Sequence, residues 1–272
     1  PGSFCREAIV ATTSTLELVL KVMSSFFEGR LALVTGGGSG IGRSVCQALA
    51  KEGTRVIVAD INLNGAAATV ASLPGTDHEA LEVDVGESKS VSTLFENISK
   101  LCSRPASIVV NCAGILIAPT PLVGLSEQSF DDIMRVNLKG TFLVTQAAAL
   151  AMTAGNVRDG SIVNISSIIA KLCYPDRSAY VASKAGVLTL TKVAAKELAS
   201  HGIRVNSVLP STTDTPMLGQ KSQDPMRREK TELKVPLKRL CRPEEVAEVI
   251  MFLCGPGSSF MTGSAVDISG GL

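Results

Sequence analysis

The chain of 272 residues is long enough to bury a large core, and its 45% hydrophobic and 19% charged residues are typical of a soluble globular protein. A formal net charge of +1, without a long basic run, excludes an electrostatic basis for binding nucleic acid. Seven cysteines without a C-x-x-C pair argue against a disulfide framework and favour a reducing compartment, and no metal site is predicted.

Residues 1–28 are predicted to form an N-terminal extension. Pro1-Gly2-Ser3 resembles the remnant of a cleaved expression tag. The stretch 8–27 is rather apolar, but it contains Glu17 and Lys21, so no membrane span is predicted. Two interpretations stay open for this stretch: an amphipathic helix that packs on the main domain, and the remnant of an organelle-targeting segment.

From Leu31 onward, short apolar runs alternate with longer segments of helical periodicity. The predicted strands are 31–34, 55–59, 81–83, 107–110, 161–165, 203–208 and 264–268. The predicted helices are 41–52, 63–72, 91–101, 130–152, 179–200 and 244–253. This alternation predicts one α/β domain over residues 29–272, with a doubly wound parallel sheet covered by helices on both faces. Ligands then bind outside the carboxyl ends of the strands.

A glycine-rich loop, Thr35-Gly-Gly-Gly-Ser-Gly-Ile-Gly42, lies between the first predicted strand and helix. Glycines let backbone amides approach a pyrophosphate, and the helix N-terminus offers free N–H groups. The spacing Gly36-x-x-x-Gly40-x-Gly42 departs from strict G-x-G-x-x-G, but the strand–loop–helix context supports a dinucleotide-binding Rossmann fold. The residues predicted to contact the cofactor here are Gly36, Ser39, Gly40, Ile41 and Gly42.

Asp60 is predicted to select the cofactor from the end of the second strand. A carboxylate there accepts hydrogen bonds from the adenosine ribose and repels a 2′-phosphate. Because no Lys or Arg stands at positions 37–39, NAD is predicted rather than NADP, with Ile61 beside the ribose. Asp84 and Val85 follow the third strand and are predicted at the adenine edge, although Asp84 could equally be an acidic residue at a helix start.

Tyr180 and Lys184 are four residues apart on one face of a predicted helix. A Lys ammonium ~4 Å from the phenol, at an effective dielectric constant of ~20, is worth roughly 4 kcal/mol. That energy lowers a tyrosine pKa by about 3 units from its usual value near 10. Tyr180 is therefore a candidate general base for an alcohol proton. Ser167, which follows the fifth strand, could hold the substrate oxygen; Ser161, Ser166 and Ser178 compete for that role.

Together with Asn111-x-Ala113-Gly114, Asn137 and Pro210 through Thr215, these motifs resemble the short-chain dehydrogenase/reductase family over residues 29–272. The resemblance implies that Ser167 orients the substrate, Tyr180 is the acid/base, and Lys184 also holds the nicotinamide ribose. It implies that Asn137 positions a water for a proton relay through Lys184. It further implies that Asn111, Ala113 and Gly114 line the cofactor and brace the sheet, and that Pro210, Thr213, Thr215 and Tyr180 contact it.

Other stretches, such as 104–115 and 137–149, resemble hydroxysteroid dehydrogenases and 3-oxoacyl-carrier-protein reductases. This likeness implies oxidation of a secondary alcohol on a steroid or a 3-hydroxyacyl thioester. It also implies a location in the mitochondrial matrix, with the cytoplasm as the alternative. It further implies a homotetramer, or a mixed tetramer with a related subunit, whose subunits contact one another through helices 130–152 and 179–200. Ser211 replaces the glycine usual in the family and is expected to remodel the nicotinamide end slightly.

Three functions stay open from the sequence. The leading hypothesis is an NAD-linked hydroxyacyl or hydroxysteroid dehydrogenase. The first alternative is an NADPH-dependent 3-oxoacyl reductase, and Asp60 argues against it. The second is a non-catalytic subunit that only binds the cofactor, and the intact Ser167, Tyr180 and Lys184 argue against that.

The segment 218–240 is expected to fold over the pocket. It contains the cationic side chains Lys221, Arg227, Arg228 and Lys230. These could bind the phosphates of an acyl-CoA or an acidic carrier protein, or they could simply be solvated. The apolar wall that a steroid requires is only partly supplied by Met217, Leu218, Met226 and Leu233. An acyl thioester is therefore the favoured substrate, with steroid oxidation as a second activity.

Overall fold

The computed structural model describes residues 26–222 and 224–272. Most of the predicted N-terminal extension, including Pro1-Gly2-Ser3, lies outside the described residues. The side chains of Lys221 and Arg227 also lie outside this set. Among the described residues, no helix is long and apolar enough to cross a membrane.

A sheet of seven parallel strands forms the centre of the domain. The strands are β1 (Leu31–Thr35), β2 (Arg55–Asp60), β3 (Glu79–Glu82), β4 (Ile108–Asn111), β5 (Gly160–Ile165), β6 (Ile203–Pro210) and β7 (Ala265–Ile268). Their order is β3-β2-β1-β4-β5-β6-β7. The predicted doubly wound fold is confirmed, and the reversal of strand order between β1 and β4 opens a crevice at the carboxyl edge.

Helices cover both faces of this sheet. They are α1 (Gly40–Lys51), α2 (Leu63–Ala71), α3 (Ser88–Leu101), α4 (Glu127–Ile133), α5 (Thr141–Ala154), α6 (Ile169–Leu172), α7 (Ser178–Leu198), α8 (Pro225–Lys234) and α9 (Pro243–Cys254). On one face, α1 and α9 bury residues such as Leu49 and Ile250 against the sheet. On the other face, α3 and α5 bury Leu94 and Met152, so two apolar layers hold the strand ends in place.

The helix predicted over 130–152 is present but is not α-helical throughout. Between α4 and α5, residues Met134–Gly140 form a π-helical segment, a widened turn that is often found at functional sites. Two contacts favour it. The Asn137 side chain is hydrogen-bonded to both backbone groups of Ile115, and a Cβ on Gly140 would lie 2.7 Å from Val85 Cγ2. The interruption is therefore set by tertiary contacts that a 3.6-residue hydrophobic period does not report.

The segment after β6 closes over the carboxyl edge, as predicted for 218–240. It contains two short 3-10 turns within Pro216–Ser222, separated by a kink at Gly219, and then α8, which the sequence does not predict as a helix. Asp224 caps α8 by accepting a hydrogen bond from Met226 N at 3.1 Å, and Pro225 starts the helix. We refer to residues 216–234 as the lid.

Candidate active site

A cavity of about 870 Å³ lies at the carboxyl ends of the strands, beneath the lid. We call it the main cavity. Its wall contains every predicted site residue except Asn111 and Asn137. Those that line it are Gly36, Ser39, Gly40, Ile41, Gly42, Asp60, Ile61, Asp84, Val85, Ala113, Gly114, Ser167, Tyr180, Lys184, Pro210, Thr213 and Thr215.

The glycine loop forms one end of the main cavity. Gly36 and Gly40 have positive φ angles of 66° and 50°, a region that side chains disfavour. A Cβ on Gly36 would lie 2.7 Å from Ala113 N, and one on Gly42 would overlap Gly36 O. The N-cap residue of α1, Ser39, makes no side-chain capping bond, so the first-turn amides of α1 are left for another acceptor. These residues fit the pyrophosphate of a dinucleotide.

Asp60 has a structural role as well as a position in the cavity wall. Its Oδ2 accepts a hydrogen bond from Gly38 N at 2.9 Å, and its Oδ1 accepts one from Asn62 N at 2.9 Å. Arg43, which the sequence reasoning missed, supports the same loop by donating to Gly38 O at 2.5 Å and Thr69 Oγ1 at 3.0 Å. The carboxylate is thus held in a fixed orientation at the end of β2.

Asp84 is partnered within the protein. Its Oδ2 lies 2.9 Å from Arg135 Nη1, and its Oδ1 accepts a hydrogen bond from Gly86 N at 2.9 Å. The hydrogen bond that Arg135 donates to Asp84 is the main cause that raises the pKa of Arg135. Because α3 begins only at Ser88, Asp84 does not start that helix. Arg135 itself lines the main cavity, and no local sequence signal links it to Asp84.

Among the candidate serines, the contacts favour Ser167. Ser161 donates to Leu253 O at 3.2 Å, and Ser166 donates to the backbone oxygen of Lys184 at 2.7 Å. Ser178 has a buried hydroxyl, but it does not line the main cavity. Ser167 lies in the cavity wall, where its hydroxyl acts to lower the pKa of the Tyr180 phenol and donates only a long hydrogen bond, of 3.4 Å, to Pro210 O. Its hydroxyl and the phenol thus face the same space.

Tyr180 and Lys184 lie together, with Lys184 Nζ 5.8 Å from the centre of the Tyr180 ring. The net shift of the Tyr180 pKa is opposite to the lowering that the spacing to Lys184 predicts. Burial raises the pKa of the phenol, and the opposing effects come from the hydrogen bond with Ser167 and the charge of Arg177. Burial also lowers the pKa of Lys184 to about 8. Desolvation therefore outweighs the attraction that spacing alone suggested.

Lys184 and Asn137 lie on either side of Gly114. A Cβ on Gly114 would be 3.2 Å from Asn137 Oδ1 and 3.5 Å from Lys184 Nζ, so a larger residue here would crowd Asn137 first. Lys184 donates to Ile165 O at 2.9 Å. Both amide hydrogens of Asn137 are used, on Ile115 O and on Ser183 Oγ. Any water that Asn137 positions must therefore donate to its Oδ1.

Asn111 braces the sheet and is not among the residues that line the main cavity, so its contact with the cofactor stays a prediction. Its Nδ2 donates to Thr145 Oγ1 at 3.1 Å and to Asn164 Oδ1 at 2.8 Å. These bonds tie β4 to β5 and to α5. The side chain is buried because α5 packs over this face of the sheet and brings Thr145 against it, which a strand-end position in sequence does not reveal.

The nicotinamide end of the cavity accommodates Ser211 without strain. Ser211 is not among the residues with positive φ, and its N donates to Ile268 O at 2.9 Å. The expected remodelling at this position is therefore not a backbone distortion. Thr215 Oγ1 donates to Thr213 O at 3.3 Å, a local bond in the turn between β6 and the lid. Within the described part of the chain, no cluster of His, Cys, Asp or Glu could hold a metal ion.

Comparisons with known proteins agree with this geometry. A family model described as enoyl-(acyl carrier protein) reductase matches residues 36–272. The human (3R)-3-hydroxyacyl-CoA dehydrogenase is 46% identical over 263 residues, covering 92% of this chain and 99% of that protein. The 3-oxoacyl-[acyl-carrier-protein] reductase of Thermotoga maritima is 39% identical, covering 90% of this chain and 98% of that protein.

A solved structure shows the same architecture. The 3-ketoacyl-(acyl-carrier-protein) reductase of Brucella melitensis, complexed with NADH, superposes with a TM-score of 0.83 at 31% identity, covering 90% of this chain and 98% of that one. The main cavity has the parts that a nicotinamide dinucleotide and a secondary alcohol require. The chain belongs to the short-chain dehydrogenase/reductase family and is an oxidoreductase that binds a nicotinamide cofactor.

Proposed function

We propose that the protein is an NAD-dependent dehydrogenase that converts a (3R)-3-hydroxyacyl thioester to the 3-oxoacyl thioester. One observation carries this proposal: the main cavity is continuous between its two ends. Asp60 and the glycine loop line one end, and Ser167, Tyr180 and Lys184 line the other. The similarity to (3R)-3-hydroxyacyl-CoA dehydrogenases over nearly the whole chain supports the choice of substrate.

The chain's own residues account for the proton that the alcohol loses. NAD, when bound, supplies the acceptor for the hydride that leaves C3 of the substrate. Ser167 holds the substrate hydroxyl beside Tyr180, and the Tyr180 phenolate takes the hydroxyl proton as the C3–O bond becomes a carbonyl. The buried Lys184 ammonium stabilises that phenolate. Asn137 lies next to Lys184, and a water bound to Asn137 Oδ1 would carry the proton onward.

The lid supports a thioester better than a steroid. A second cavity of about 930 Å³ lies beside the main cavity, and both are lined by Leu116, Met217 and Leu218. It gives a long, flexible substrate room to extend. Met226 and Leu233, which were considered for a steroid wall, are 70% and 58% exposed and line neither cavity. An apolar ring system would therefore find only part of its expected contact surface.

The test is the initial rate of the purified chain with NAD or NADP and either a 3-hydroxyacyl-CoA or estradiol. Preference for the acyl-CoA with NAD is expected. Estradiol oxidation alone would support the steroid function instead, and an equal or faster rate with NADP would support an NADPH-dependent 3-oxoacyl reductase. A chain without turnover on any of these substrates would be the non-catalytic subunit considered above.

Replacing Asp60 by asparagine is expected to reduce the preference for NAD over NADP at least tenfold. Asparagine keeps the Oδ1 acceptor for Asn62 N and removes the charge that repels a 2′-phosphate, but its NH2 group cannot replace the Oδ2 acceptor for Gly38 N. The measurement is kcat/KM with each cofactor at one substrate concentration. Asp131→Asn is the matched control, since Asp131 is an exposed residue of α4 outside the cavity. An unchanged cofactor ratio in Asp60→Asn would show that this carboxylate is only a turn residue.

We also propose that the chain forms a homotetramer or a mixed tetramer. Exposed apolar side chains on α5 and α7 support this, because Phe142, Leu150 and Val193 are 42%, 67% and 52% exposed. We expect light scattering of the purified chain to give a mass of four subunits. Substituting Leu150 by lysine should shift that mass downward, whereas a monomer for the unmodified chain would contradict the homotetramer.

A further inference from the structure

Arg177 lies where the two cavities meet. It directly precedes α7, three residues before Tyr180, and it lines both the main cavity and the second cavity. Its side chain is only partly exposed, and its charge acts on the Tyr180 phenol. A substrate that reaches from Tyr180 into the second cavity must therefore pass this guanidinium.

The backbone that carries Arg177 is held in an unusual conformation. Asp176 and Cys173 have positive φ angles of 62° and 51°, although neither is a glycine. Asp176 O accepts a hydrogen bond from Thr120 N at 2.9 Å, and Arg177 Nη1 donates to Ile117 O at 2.6 Å. Such conformations cost energy and persist where the surrounding structure enforces them. The loop after β4 and the loop before α7 thus fix the guanidinium together.

Arg177 forms no ion pair within the described part of the chain, although the charge of the adjacent Asp176 acts on it. No carboxylate there lies within ion-pair distance of it, whereas Arg228 on the lid pairs with Asp214 at 2.9 Å and Glu232 at 3.0 Å. Burial lowers the pKa of Arg177, but a guanidinium remains charged at neutral pH. Only one of its five N–H groups is used on Ile117 O, so the others can bind an oxygen atom in the cavities.

We propose that Arg177 is a specificity-determining residue that binds the thioester carbonyl oxygen of the substrate. Two carbons separate that carbonyl from the 3-hydroxyl, so one substrate can reach both Arg177 and the pair Ser167–Tyr180. The guanidinium then directs the rest of the thioester into the second cavity. A substrate with only hydrocarbon beside its hydroxyl would bury this charge without a partner, which is costly. This inference rests on the proposed function.

The experiment compares Arg177→Gln with the unmodified enzyme on two alcohols, 3-hydroxybutyryl-CoA and 2-butanol, with NAD. The second alcohol lacks the thioester. We expect kcat/KM for the thioester to fall at least 30-fold, mainly through KM, while that for 2-butanol does not fall, because the variant no longer buries an unpaired charge beside the hydrocarbon. Acetoacetyl-CoA binding, measured by calorimetry in the presence of NAD, should weaken by a similar factor. Arg177→Lys should restore part of the loss, since it keeps the charge but not the planar donor group.

Arg158→Gln is the matched control, since Arg158 is exposed just before β5, at the opposite edge of the sheet. An equal loss on both alcohols would overturn the inference, because a merely structural role through Ile117 affects them alike. No loss on the thioester would overturn it as well. If the unmodified enzyme does not oxidise 3-hydroxybutyryl-CoA with NAD, the proposed function fails and this inference fails with it. That outcome is recognised before any variant is compared.

Discussion

Replacing Tyr180 by phenylalanine is expected to lower kcat by a factor of about 10²–10⁴, the usual contribution of a general acid or base. The phenylalanine ring keeps the packing of α7 and removes only the hydroxyl that takes the substrate proton. The affinity for NAD should change less than twofold. The measurements are kcat with a 3-hydroxyacyl-CoA and NAD binding by calorimetry. A variant that keeps most of its kcat would show that another group takes the proton.

The pH dependence of the unmodified enzyme is part of the same prediction. Burial raises the pKa of Tyr180, and only the deprotonated phenol accepts a proton from the alcohol. The rate of oxidation should therefore rise as the pH increases through and above neutrality. The residual rate of Tyr180→Phe should lack this rise. A rise that survives the substitution would assign the titration to a different group, such as Lys184, whose pKa burial lowers to about 8.

Replacing Lys184 by methionine is expected to produce an inactive but more stable protein. Lys184 is 5% exposed, and burial lowers its pKa from 10.5 to about 8. That shift corresponds to an unfavourable free energy of roughly 3 kcal/mol for the charged form. Methionine removes this cost but also the hydrogen bond to Ile165 O, which is worth about 1.5–3 kcal/mol for a charged donor. A net gain of about 1 kcal/mol, or ~2–4 °C in Tm, is expected.

The gain in stability of Lys184→Met should decrease as the pH rises. Below pH 8 the lysine is charged in both the folded and unfolded states, so the full cost is present. Between pH 8 and 10.5 the unfolded chain binds more protons than the folded one, so the stability of the unmodified protein rises with pH. The Tm difference should therefore shrink across that interval. Thermal unfolding without NAD at pH 7 and pH 10 measures it.

Lys192→Met is the control for this variant, because Lys192 is an exposed residue of the same helix, α7. It should change neither Tm by more than about 1 °C nor the activity, as expected for a surface position. A Lys184→Met protein that is less stable than the unmodified enzyme at pH 7 would mean that the bond to Ile165 O outweighs the desolvation cost.

The sequence by itself determined the architecture and most of the cavity wall. All seven strands were predicted in their correct order along the chain, because apolar runs bounded by glycine and polar residues are local features. The glycine loop and Asp60 could also be predicted, since each is identified by its position at the end of a single strand. Tyr180 and Lys184 share a helix face for the same local reason, their spacing of four residues.

Only the tertiary structure decided the electrostatics of the site and the contacts between distant segments. The sign of the Tyr180 pKa shift depends on burial, which arises when the sheet, α7 and the lid pack together. Three features of the site depend on contacts between residues that are far apart in the chain. They are the π-helical segment at Asn137, the bond from Arg135 to Asp84 and the position of Arg177. Hydrophobic periodicity and motif spacing describe neighbours along one element, so they carry no information about such through-space contacts.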